Sequence, residues 1–548
     1  MTSTDGDGRT EVGMVDRGGG DPASGVIGSP VPLARAVSRR RFIAGAGGAL
    51  VVGAVAACAP VPAPPASRAV GPTDPVVAAR EAARRRPGAP VRDVTLTARP
   101  ATIDLGGLEV PTWAYNDTAP GSLIRATAGD VLRVRVDNAL PVDGPDGGAS
   151  TVHWHGITVR NDMDGVPVLT QDPIPAGGTQ LYEFTAPHPG TYWYHPHVGV
   201  QFDRALHGPL IIDDPHEPGG YDVEFVVVLD DWIDGTTTSL GAPPTTPDAV
   251  LAELHRTGMS MGMGMGMGMG GGPTSAVGGD GGDVDYPHYL INGRAPQAPV
   301  TLNARPGQRA RIRVINPGAD TAFRVALGGH RLTVTHTDGY PVVPTTVDSV
   351  LVGQAERYDL LVSLGDGAFP LVAAAEGKTG GARAIVRTSP SSAAPRDGIA
   401  PAELGGRLLG YPDLAAADPV AVPARTPDRV HDIVLGGDMS RYTWTLNGRT
   451  FEQREPLPVR DGERVQLRFH NTMSMFHPMH LHGHTFTVRH ASGPTSAWPG
   501  PRKDTVIVLP NQTEVVDFNA DNPGQWAAHC HNLYHEASGM MTSVSYQA

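Results

Sequence analysis

Three segments of this chain are written in one frame: "AGDVLRVRVDNAL" from Ala128, "PGQRARIRVINPG" from Pro306 and "DGERVQLRFHNTM" from Asp461. In each, a glycine (Gly129, Gly307, Gly462) precedes a run of alternating residues, and an asparagine (Asn138, Asn316, Asn471) closes it nine residues after the glycine. Alternation at period two marks a half-buried β-strand, because successive side chains point to opposite faces. Strand phrases of this kind are common; the matched glycine-to-asparagine interval is what identifies three copies of one β domain, offset by 178 and 155 residues. The expected domains are 75–215, 220–390 and 425–548, each the size of a Greek-key sandwich, with a polar, Pro-rich linker at 391–424.

Composition agrees with an all-β chain. Glycine and proline make up about a fifth of the 548 residues and punctuate Val- and Thr-rich runs such as "FVVVLDDW". A net charge of -13, with no basic cluster outside the N-terminus, excludes nucleic acid as a partner.

Residues 1–57 read as an export signal. Arg39 and Arg40 precede an apolar stretch from Phe42 to Ala57 that is short for a bilayer span, the pattern of a twin-arginine leader. Ala56 and Ala57 before Cys58 resemble a lipobox, so Cys58 is the expected lipidation site, with residues 58–74 as a Pro-rich tether. The expected location is the cell envelope, either lipid-anchored on the outer face of the cytoplasmic membrane or periplasmic. Cys58 and Cys530 each sit in a context that offers another role, so no disulfide is expected.

Met259, Met261, Met263, Met265, Met267 and Met269 alternate with glycine in a run at 258–272. Such a run cannot pack a core and is expected to be a mobile surface loop.

Histidine pairs occur four times: His153/His155, His195/His197, His480/His482 and His529/His531. In an extended strand each pair presents both imidazoles to one face. Eight imidazoles exceed what one first-row metal takes, so the count points to a metal cluster. The same alternation turns Cys530 to the opposite face, where a thiolate with His477, His535 and the thioether of Met540 would form a His₂Cys plus Met blue-copper site. Cys530 would thus bind one copper while its covalent neighbours bind the cluster.

These four segments, in this order and on a triplicated β domain, resemble the multicopper oxidases in their form of three consecutive cupredoxin-like sandwiches. The resemblance covers nearly the whole chain after the leader. It implies four copper ions: type 1 at His477, Cys530, His535 and Met540; type 2 at His153 and His480; and a type 3 pair at His155, His197 and His529 together with His195, His482 and His531. Which three histidines serve each type 3 copper stays open. The resemblance also implies reduction of O₂ to two waters by four substrate electrons, with Asp164 and Glu536 as acids beside the cluster. The other histidines, His188, His207 and His484 among them, are expected to be structural or exposed.

Fold and coppers do not choose the electron donor. Soft thioethers favour Cu(I), through the Met-Gly run or through Met473 and Met475 close to His477, while a phenol or aromatic amine is the laccase-like alternative. In the copper-efflux type of oxidase a methionine stands in the place of Met475, but an aspartate there is replaced here by Met473, and the methionine-rich insert commonly lies in domain three. The expected reaction is oxidation of Cu(I) to Cu(II) for copper detoxification by a monomer. A non-catalytic copper-storage protein would bind metal without consuming O₂.

Overall fold

The computed structural model describes residues 68–548 apart from 218, 238–244, 259–274, 397, 399 and 490–498. The leader, Cys58 and the six methionines of the Met-Gly run lie outside the described residues.

Six antiparallel-rich sheets pair into three β-sandwiches: two four-stranded sheets with strands between Val91 and Asp213, then a six- and a five-stranded sheet between Val223 and Arg387, and again between Arg429 and Tyr546. The three repeated frames occupy one topological place. Val131–Asn138, Arg309–Ile315 and Arg464–Asn471 each lie between a parallel neighbour (Val91–Asp104, Val223–Trp232, Arg429–Asp438) and an antiparallel one (Thr179–Thr185, Arg357–Ser363, Thr513–Asn519).

The geometry explains both conserved-in-frame residues. Gly129, Gly307 and Gly462 have φ of +93°, +80° and +84°, a region open to glycine. Each asparagine is a clamp. Asn138 donates to the carbonyls of Gly148 and Ile174 and accepts from Leu140; Asn316 donates to Thr321 and Val352 and accepts from Gly318. Asn471 repeats this with Met475, Val508 and Met473. All three are buried, so replacing one by alanine would strand carbonyls at about 1–3 kcal/mol each.

Two connecting segments pack more closely than the sequence suggests. The expected tether to residue 74 ends earlier. Val70 is buried, its N–H bonds Tyr546 O at 2.8 Å, and Ala69 bridges Gln547, so Arg68, Ala69 and Val70 join the third sandwich. A helix follows at Pro75–Arg84, started by Asp74 as N-cap and Pro75 in the first turn, with Val77 and Glu81 buried one turn apart. It straps the first sandwich to the third: Glu81 accepts from Thr185 N at 2.8 Å, while Arg84 donates to Thr158 O at 2.8 Å and to Asn522 Oδ1 at 3.0 Å. The linker lies on the second sandwich, with Leu409 and Leu414 buried and Val343 N donating to Ala415 O at 2.8 Å. Among the described residues no helix is long and apolar enough to cross a membrane.

Candidate metal centre

The strand His153–His155 pairs antiparallel with Gly190–His195, setting His153 opposite His195 and His155 opposite Trp193. Trp154, between the two histidines, turns into the core against Phe184 (ring centroids 5.1 Å) and Tyr182 (5.5 Å), so the histidines face the other way. In the third sandwich His477–Leu481 pairs with Gln525–Cys530, setting His480 opposite His529 and Met479 opposite Cys530. The two His-bearing faces meet between the first and third sandwiches. His153 stacks on His482 and His155 on His480, each pair with centroids 3.9 Å apart.

Ligand atoms fall into groups within 4.8 Å of one another: His153, His155 and His480; His155, His195 and His531; His197, His482 and His529. The geometry thus divides the six candidate type 3 histidines as 155/195/531 and 197/482/529. His529 and His531 part company because His531 meets His155 and His195 on the two paired strands, whereas His529 meets His197 just beyond the second of them.

One nitrogen of most rings is committed to protein. Nδ1 of His153 donates to Asp164 O, that of His480 to Asp504 O and that of His195 to Pro196 O, all at 2.8 Å. His482 Nδ1 donates to Asp164 Oδ2 at 2.9 Å, and Glu536 reaches both His529 Nδ1 (3.0 Å) and His197 Nδ1 (3.3 Å). The opposite nitrogens, Nε2 of His153, His195, His197 and His480 and Nδ1 of His155, are buried without a hydrogen-bond partner. Native interiors rarely leave such atoms orphaned, and an imidazole held by one nitrogen with the other free is the arrangement of a metal ligand. Burial drives the rings of His155, His195, His480, His482 and His531 well below the ordinary histidine value, keeping them neutral with a lone pair available.

Asp164 and Glu536 both lie at this cluster. Burial alone would raise the Glu536 carboxyl, but His197 and His529 hold it down at about 2. Two further acids come from places no sequence pattern marked. Asp504 touches His155 Nε2 through Oδ1 at 3.2 Å, beyond its carbonyl bond to His480.

The second acid, Asp283, serves the other centre. There Cys530 Sγ lies 3.7 Å from His477 Nδ1 and 3.6 Å from His535 Nδ1, and the two nitrogens are 3.1 Å apart. Met540 is buried and its backbone is tied to both sides, its carbonyl accepting from Cys530 N and its N–H donating to His535 O, each at 3.0 Å. Trp444 stacks on His535 at 3.8 Å. His535 Nε2 donates to Asp283 Oδ2 at 2.9 Å, and Tyr442 OH donates to the same oxygen at 2.5 Å. Burial raises the Cys530 thiol well above its ordinary value, so a cation is needed to stabilise the thiolate.

Of the candidate substrate methionines, Met473 is half-buried, whereas Met475 is 2% exposed within the apolar core. His484, next in the same motif, faces away: its Nε2 and Tyr546 OH are 2.7 Å apart.

A triplicated cupredoxin-like sandwich carrying a His–Cys–His pocket beside an eight-histidine cluster defines the multicopper oxidase class. The chain belongs to that family: models described as multicopper oxidase match residues 97–217, 274–391 and 424–548. It is similar to multicopper oxidase MmcO of Mycobacterium tuberculosis, 50% identical over 93% of this chain and 97% of the relative. A copper resistance protein A homolog of Pseudomonas syringae pv. tomato is 28% identical over 82% of this chain and 91% of its own length. Among solved structures, a laccase from Botrytis aclada aligns with TM-score 0.68 at 25% identity, covering 83% of this chain and 88% of that one. The protein is therefore an oxidoreductase that uses copper.

Proposed function

We propose that this enzyme oxidises Cu(I) to Cu(II) and passes the electrons to O₂, as a copper-detoxifying oxidase exported by the twin-arginine route and anchored through Cys58. His477, Cys530, His535 and Met540 would hold type 1 copper, His153 and His480 type 2, and 155/195/531 with 197/482/529 the type 3 pair. Copper bound there supplies one-electron acceptance at the Cys530 pocket and four-electron reduction of O₂ to two waters at the histidine cluster. The chain's own work is to hold and connect. Cys530 joins the two centres through its bonded neighbours His529 and His531, and the carboxylates of Asp164 and Glu536, which face His482 and His529, stand where protons consumed at the cluster can be relayed.

The observation that carries the choice of Cu(I) is the carboxylate on His535. Its Nε2 is met by Asp283, whose side chain is fully buried and whose Oδ1 has no partner. An ionised carboxylate oxygen without a partner, one hydrogen bond from His535, suits a cation as the electron donor there. The flanks of the Met-Gly run lie on the same rim: His255 Nε2 is 2.9 Å from Ser538 Oγ, and Val277 packs with Phe476 and Ile507. The methionines between them would deliver Cu(I) to Asp283 and Met473.

O₂ uptake on anaerobically prepared Cu(I), set beside a phenol, tests this reading. Asp283→Asn and deletion of 258–272 should each lower kcat/KM for Cu(I) more than for the phenol. Faster phenol turnover with neither change affecting Cu(I) would replace it with the laccase-like reading.

A further inference from the structure

The carboxylates around the histidine cluster are not held alike. Asp164 and Glu536 are met by imidazoles, whereas Asp504 is met by a guanidinium as well as by the His155 imidazole. Arg357, from the second sandwich, is fully buried and donates from Nη1 to Asp504 Oδ1 and from Nη2 to Asp504 Oδ2, both at 2.7 Å. Its Nε donates to Thr191 O in the first sandwich at 2.9 Å, so one side chain touches all three. Asp338, also from the second sandwich, accepts from the backbone N–H of Asp504 at 3.2 Å and of Thr505 at 3.3 Å. The space is filled: a Cβ at Gly156, which follows His155, would stand 2.3 Å from Arg357 Nη2 and 2.7 Å from Asp504 Oδ2.

What Arg357 holds in turn sets two rings. Asp504 accepts from His155 Nε2 through its carboxylate and from His480 Nδ1 through its carbonyl. These two contacts fix which nitrogen of each ring carries the proton, leaving His155 Nδ1 and His480 Nε2 free in the cluster.

We propose that Arg357 is a positioning residue for the histidine cluster, by which the second sandwich, supplying none of the proposed ligands, fixes the rings of His155 and His480 through Asp504. A planar guanidinium is required, because only a fork can clamp both carboxylate oxygens and still reach Thr191. The inference rests on the copper reading of His155 and His480 given above.

The test uses the full-length copper-loaded protein and three readouts: copper per chain, the visible absorption of the Cys530 site, and the electron paramagnetic resonance of the remaining mononuclear copper. Arg357→Lys keeps the charge and loses the fork. It should leave the visible band intact, change the hyperfine splitting of the second signal and weaken cluster copper binding about 10–100-fold. Asp504→Asn should reproduce that pattern, and combining the two should add little. An unchanged second signal and occupancy in Arg357→Lys would overturn the proposal. So would equal loss from both centres in both variants, since that is a general loss of fold. If the unsubstituted protein shows no second signal after loading, the copper reading itself fails.

Discussion

The Cys530 pocket and the histidine cluster sit on opposite faces of one strand, yet the chain builds them differently. Everything proposed to hold copper in the pocket lies between His477 and Met540, inside one sandwich, with Asp283 of the second domain as an outer partner. The cluster takes four histidines from the first sandwich and four from the third, and exists only where the two are docked. A local site inherits the stability of its own domain. An interface site adds its binding free energy to domain docking, and loses its metal when docking loosens.

The hardest break in that contrast is Cys530→Ser. It removes the thiolate from the pocket and should abolish both the visible band and oxidase turnover, while copper per chain falls by the pocket's share alone. Retention of a blue band would place the type 1 site elsewhere. Next in size is metal removal. Chelation should destabilise the docked first and third sandwiches by about 3 kcal/mol or more, the value for a ligand held at a hundredfold excess over its Kd. A calorimetric transition that does not move on copper loading would show that the cluster contributes nothing to docking.

Asp164→Asn sharpens the contrast without dismantling either centre. Reoxidation by O₂ should slow about 10–100-fold with the visible band unchanged, because Asp164 touches His153 and His482 and is remote from the Cys530 pocket in the bonding pattern. Equal slowing of the reductive half would contradict that separation. The smallest effect is expected from His484→Phe. Copper content should be unaltered and stability lower by about 1–2 kcal/mol, because Tyr546 OH loses one of its two buried partners and keeps only the Asn522 N–H. Loss of copper would return His484 to the ligands.

What could be read from the sequence follows the same line between local and docked. The glycine-to-asparagine frame is legible because strand, turn and clamp are contiguous: Asn138, Asn316 and Asn471 each accept from the N–H two residues on. The pocket is legible because strand alternation separates Cys530 from His529 and His531. The division of six histidines between two metals is not, since it depends on how the first sandwich meets the third. Asp283, Asp504 and Arg357 were invisible for the same reason. Each sits in local sequence that carries no site pattern, and only packing of separate domains brings it to an imidazole or a carboxylate.

The pairing of Arg68, Ala69 and Val70 with Tyr546, Gln547 and Ala548 has a mechanical consequence. A load applied through residues ahead of Arg68 enters the molecule at the end of an interior strand of the sheet that carries Cys530. It is borne by backbone hydrogen bonds beside the last strand before it reaches the strapping helix Pro75–Arg84. An enzyme immobilised by that end would hang from its third sandwich.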